Sequence, residues 1–70
     1  MKISARNRLP GIVRKIELGA VNAAVTLELA PGVEVVSIIT RDAVSGLALS
    51  VGEQAYAVIK ASSVMIGVDD

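Results

Sequence analysis

The sequence contains no cysteine, no histidine, no tryptophan and no phenylalanine, and only one tyrosine, Tyr56. Without cysteine, no disulfide can brace a small fold. Without cysteine or histidine, the usual ligands of a zinc or copper site are missing, so no metal cation and no cofactor is expected. One aromatic ring gives no platform on which nucleic-acid bases could stack, and the net charge of zero offers no basic groove. Paired catalytic groups are also lacking. The serines have no evident base, and the one adjacent carboxylate pair, Asp69-Asp70, reads as a solvated chain end. An enzyme is therefore not expected. The apolar stretches Gln54–Ile59 and Ala61–Val68 are separated by Lys60, and no uncharged stretch nears the roughly 20 residues of a membrane-spanning helix. The start, Met1-Lys2-Ile3-Ser4-Ala5-Arg6, lacks the apolar centre of a signal peptide, so a cytoplasmic location is expected.

Aliphatic residues are abundant. Hydrophobic residues make up 53% of the 70, and the mean hydropathy is +0.64. A chain of this length forms one domain, here residues 1–70, and hides only about 60% of the surface its unfolded form exposes. The apolar surplus therefore points to self-association. Val21 to Leu29 alternates, with Val21, Ala23, Val25, Leu27 and Leu29 on one face. Ala30-Pro31-Gly32-Val33 has the pattern of a type II turn, and Val33 to Ile39 returns as a second strand. Val36 and Ile38 face away from Val33, Val35 and Ile39, so this strand is apolar on both faces and needs cover on both. Ile12–Leu18, Gln54–Lys60 and Val64–Val68 read as further strands, and Pro10-Gly11 as a turn before the first. One short helix is expected after Thr40 as N-cap, with Asp42 in its first turn and Val44 and Leu47 on its apolar side. An all-β, OB-like five-stranded barrel with one short helix fits this element order. A plain meander or small sandwich is the alternative.

Charge is unevenly distributed. Five of the seven basic residues (Lys2, Arg6, Arg8, Arg14, Lys15) fall in the first 16 positions, and the first acid is Glu17. Gln54 to Val68 also has no acid and carries only Lys60. Two segments suit an anion. Ser4-Ala5-Arg6-Asn7 offers a hydroxyl, a guanidinium fork and an amide; Lys60-Ala61-Ser62-Ser63 offers an ammonium and two hydroxyls. Each segment alone reads more readily as ordinary structure: a first strand with Arg6 in solvent and Asn7 capping a turn, and a strand end from which Lys60 reaches solvent before a turn at Ser62 and Ser63. Neither contains a carboxylate to accept a proton from hydrogen phosphate, so a fully deprotonated tetrahedral dianion is the better match.

Together, Ser4-Ala5-Arg6-Asn7 with Leu9 and Gly11, and Lys60-Ala61-Ser62-Ser63-Val64-Met65, resemble the molbindins and the related molybdate-sensing domains of transport regulators. The likeness spans nearly the whole chain. It implies an OB-like barrel assembled as a hexamer, a trimer of dimers, with molybdate or tungstate held at subunit interfaces. Carried over, Ser4, Arg6, Lys60 and Ser62 are the ligands, and Ala5, Asn7 and Ala61 act through the backbone or shape the pocket. The role implied is storage, buffering or delivery of the oxyanion. Arg8 stands where glutamine is more usual, Pro10 replaces a polar residue, and Ala61 lacks a hydroxyl some relatives carry. The competing readings are an OB-type nucleic-acid-binding domain and a module for another oxyanion such as sulfate. The apolar surplus predicts a species well above a dimer in sedimentation velocity, and a stable monomer would contradict it.

Overall fold

The computed structural model describes residues 1–70. Four strands form the sheet: β1 (Asn7–Leu18), β2 (Asn22–Ala30), β3 (Val33–Thr40) and β4 (Gln54–Ile59). A short helix, α1 (Arg41–Gly46), links β3 to β4, and one 3-10 turn, Ala61–Ser63, follows β4. All neighbouring strands are antiparallel, in the order β3-β2-β1-β4. The sheet curls into a half-barrel, the all-β, OB-like class read from the sequence. No helix is long and apolar enough to cross a membrane.

The hairpin forms as its turn chemistry dictates. Gly32 takes φ +78°, the value a type II turn requires at its third residue and one that a side chain disfavours. In β2, Ala23, Val25 and Leu27 are buried and alternate with partly exposed Ala24, Thr26 and Glu28. The helix begins at Thr40, whose Oγ1 accepts from the Ala43 N–H at 3.0 Å.

Strand β1 departs from expectation. It starts at Asn7 and runs through Pro10-Gly11, which is not a turn. Its first half pairs with β4 (Asn7 to Ile12) and its second with β2 (Ile12 to Leu18), so one long strand serves both wings of the curl. Pro10 lies where β1 is paired on one side only, the edge-like setting that tolerates a missing N–H. At Gly11 the two wings meet. A Cβ there would stand 2.9 Å from the Glu28 carbonyl oxygen and 3.1 Å from Leu29 Cδ2. A register shift between Val13 and Lys15 adds a bulge, and bulges increase bend and twist. On the outer face near the bulge, Arg14 donates to Glu28 at 2.9 Å, and Lys15 meets Glu17 at 2.6 Å. That hydrogen bond, followed by the Coulomb attraction of Glu17, raises the Lys15 pKa; the pair is exposed and screened.

The core is small. Val13, Val25 and Leu27 form its centre, with Ile16, Leu29, Val35, Ile39, Val44 and Leu49 packed around them. The exposed surface is 5495 Å², against about 4,100 Å² expected for a compact chain of this mass. The radius of gyration is 13.0 Å, against about 11 Å expected for this length. Two features account for the excess. An apolar cleft of about 550 Å³ opens between β3 and β4, floored by Val25 and Leu27. The tail beyond Ser63 lies outside the sheet, with Met65, Ile66 and Val68 each at least 88% exposed.

Val64–Val68 is thus not a strand of this sheet, which has four strands and not five. A short apolar run becomes a strand only beside an open edge within reach. Here β1 fills the inner edge of β4, and the tail does not turn back to the outer edge of β3 or β4. Gly11→Ala should lower stability by about 1–3 kcal/mol, because the added methyl must displace the Glu28 backbone. Urea denaturation would measure this, and an unchanged midpoint would contradict the close approach.

Candidate functional site

The ladder between β1 and β4 positions the two anion-suited segments. Its far end is held by the turn before β4. The Gly52 N–H donates to the Val13 carbonyl at 2.8 Å, and the Val13 N–H donates to the Glu53 carbonyl at 2.9 Å. From there the register is continuous: Ile12 opposite Gln54, Gly11 opposite Ala55, down to Asn7 opposite Ile59. The residues just beyond that last pair are Arg6 on one arm and Lys60 on the other. A shift of one residue would move every side chain on β4 to the opposite face and separate the two cations.

The arms enclose an open depression of about 510 Å³, lined by Ile3, Ser4, Ala5, Arg6, Lys60, Ala61 and Ser62. Six of the seven residues singled out in the sequence line it. The seventh, Asn7, stands beside it as the first residue of β1. Its Nδ2 donates to the Ile59 carbonyl at 3.2 Å. Ile3 is the lining residue the sequence reading missed, since nothing in one apolar residue near a chain start marks it as a wall. Ser63 is not part of the lining.

The chemistry of the lining is one-sided. Arg6 and Lys60 are exposed and belong to neither ion pair of the structure, and no side chain of the same chain holds them. The Ser4 and Ser62 hydroxyls make no hydrogen bond within the chain. Lys60 caps a 3-10 turn whose own bonds run from the Ser63 N–H to the Lys60 carbonyl (2.8 Å) and from the Val64 N–H to the Ala61 carbonyl (3.3 Å). The N–H groups of Ala61 and Ser62, at the start of that turn, lie outside these bonds. No acidic residue lines the depression. Two fixed positive charges, two hydroxyls and free backbone donors with no competing carboxylate suit a doubly charged tetrahedral oxyanion. No three histidine, cysteine, aspartate or glutamate side chains come together in the chain.

Fold and site together define a small, curled β-sheet protein with a basic, donor-only depression where its two chain arms meet. The TOBE domain family matches residues 3–66. A "Probable molybdenum-pterin-binding protein" of Haemophilus influenzae is 52% identical over 69 residues, covering 99% of this chain and 100% of that one. Among solved structures, MopII from Clostridium pasteurianum superposes with a TM-score of 0.88 at 43% identity, covering 96% of this chain and all of that one. The cytoplasmic molybdate-binding protein ModG, crystallised with molybdate bound, gives a TM-score of 0.90 at 54% identity; the match covers 99% of this chain and 49% of that one. The chain belongs to the TOBE domain family and, within it, to the molbindin type.

Arg6 and Lys60 line the depression and no acid does, so binding of a tetrahedral dianion should weaken as salt rises. Taking ionic strength from about 0.01 M to about 0.15 M shortens the screening length from about 30 Å to about 8 Å. Calorimetric titration with molybdate at the two salt concentrations should show a several-fold loss of affinity. Salt-independent binding would mean these charges do not drive it.

Proposed function

We propose that this protein binds molybdate or tungstate as the intact oxyanion, for intracellular storage, buffering or delivery, and performs no reaction on it. One observation carries the reading: Arg6 and Lys60, from opposite ends of the chain, line a single acid-free depression together with the Ser4 and Ser62 hydroxyls. Arg6 and Lys60 neutralise the two charges of the ion, which offsets the cost of removing it from water. Ser4 and Ser62 donate hydroxyl hydrogens, Ala5 and Ala61 supply backbone donors and the shape of the wall, and Asn7 supports the rim. The likeness to the probable molybdenum-pterin-binding protein of Haemophilus influenzae and the molybdate in the ModG crystal support this ligand.

The site is completed by assembly on this reading. In one chain both cations are exposed, so a bound ion would keep much of its hydration, and a neighbouring copy would cover the open side. The homo-oligomer proposed is a hexamer, a trimer of dimers, in which residues 1–70 act as one domain. The fifth barrel strand then comes from Val64–Val68 of a neighbouring copy. Its support is the exposed apolar tail together with the unpartnered outer edges of β3 and β4 and the apolar cleft between them. A cytoplasmic setting accords with a role in handling free oxyanion.

Calorimetric titration of the purified protein with molybdate, tungstate and sulfate tests the reading and gives the stoichiometry. Arg6→Ala should lower molybdate affinity by about 2–4 kcal/mol, the cost of losing a charge-assisted contact in an enclosed site. Unaltered affinity in that variant, or no uptake of molybdate by the wild-type protein, would reject the assignment.

A further inference from the structure

We infer that Asn7 is a positioning residue of the anion site, acting through its side-chain hydrogen bond to Ile59 to hold the Lys60 arm against the Arg6 arm. The inference rests on the proposed anion-binding function and assigns Asn7 a role in it that does not require contact with the ion.

The Asn7–Ile59 contact spans 52 positions of sequence and is the one side-chain hydrogen bond that ties the two arms together. It lies at the final pair of the β1–β4 ladder. Past this pair both arms leave the sheet, and ladder ends are where strands fray. The partly buried amide adds a bond at the point where fraying would otherwise begin, one residue from each cation. The only other ties on the Lys60 arm are the two backbone bonds of its 3-10 turn, and these are local. They shape the arm without fixing it to β1.

The chemistry explains an amide at this position. The partner is a carbonyl oxygen, so a donor is needed. An aspartate of the same shape is acceptor-only at neutral pH and would repel the Ile59 carbonyl while adding a negative charge beside an anion site. Alanine would not reach. A lysine or arginine would donate, but its charge would draw the anion away from Arg6 and Lys60. A neutral donor holds the arms and leaves the field of the two cations unchanged. Because the amide is already engaged with Ile59 and Asn7 does not line the depression, the residue works on the ion indirectly.

The test is a double-mutant cycle in the full chain, read by calorimetric titration with molybdate: wild type, Asn7→Ala, Lys60→Ala and the double variant. Asn7→Ala should weaken binding roughly tenfold, the worth of about one neutral hydrogen bond. In the Lys60→Ala background the same change should cost less than about twofold, because its effect runs through Lys60. Asn7→Asp keeps the side-chain shape, guards against a misfolded alanine variant, and should bind more weakly than Asn7→Ala. Amide exchange in the last pairs of the ladder, Asn7–Leu9 and Ala57–Ile59, should accelerate in Asn7→Asp without ligand, while that of Val25 and Leu27 stays at the wild-type rate. Equal losses in both backgrounds, or unchanged exchange at that end of the ladder, would overturn the inference. Wild-type affinity in Asn7→Ala would overturn it alone, whereas failure of the wild-type protein to take up molybdate would overturn it together with the proposed function.

Discussion

The antiparallel register between β1 and β4 is the constraint on which the rest of the molecule depends. Two segments more than 50 residues apart, each weakly suited to an anion, become one depression because Asn7 falls opposite Ile59. That register is set from the other end, where Gly52 and Glu53 lock onto Val13, the one side chain buried completely. The same residue therefore centres the core and anchors the ladder that delivers Arg6 and Lys60. Packing and site geometry are mechanically one system over the length of six residue pairs.

A second constraint is size. A sheet of four strands and a six-residue helix cannot enclose the apolar content of this sequence. The curl of β1, made by Gly11 and the bulge at Arg14, wraps the sheet only halfway round. What remains is an apolar cleft on the open side, an apolar tail outside it, and an outer face where Val36 and Ile38 are exposed. Each alone is a liability for a monomer. All three find cover in the homo-oligomer proposed above, and the anion site would gain its missing wall by the same event.

The depression itself follows a simple electrostatic logic. The two outer-face ion pairs, Arg14 with Glu28 and Lys15 with Glu17, use up local charges where no ligand is needed. Arg6 and Lys60 are left without acids, and the serine hydroxyls beside them without partners. Donors held apart from acceptors by the fold are ready for an acceptor from solvent. An ion with four acceptor oxygens and no proton matches that set.

Sequence alone determined the local elements and the chemistry. Pro31-Gly32 specified its turn, Thr40 its helix cap, the alternation around Val25 its buried face, and the acid-free segments their suitability for an anion, because each depends on residues a few positions apart. It misjudged Pro10-Gly11, since the usual turn signal of that pair is overridden when a second strand passes within 2.9 Å of a would-be Cβ. It misjudged Val64–Val68 as a strand of the same sheet, since strand pattern does not reveal which edge is open. Only the tertiary structure decided that Arg6 and Lys60 share one depression, that Ile3 walls it, and that the Asn7 amide faces the Ile59 carbonyl. Those facts follow from cross-strand register, a property of two distant segments aligned against each other that neither segment contains by itself.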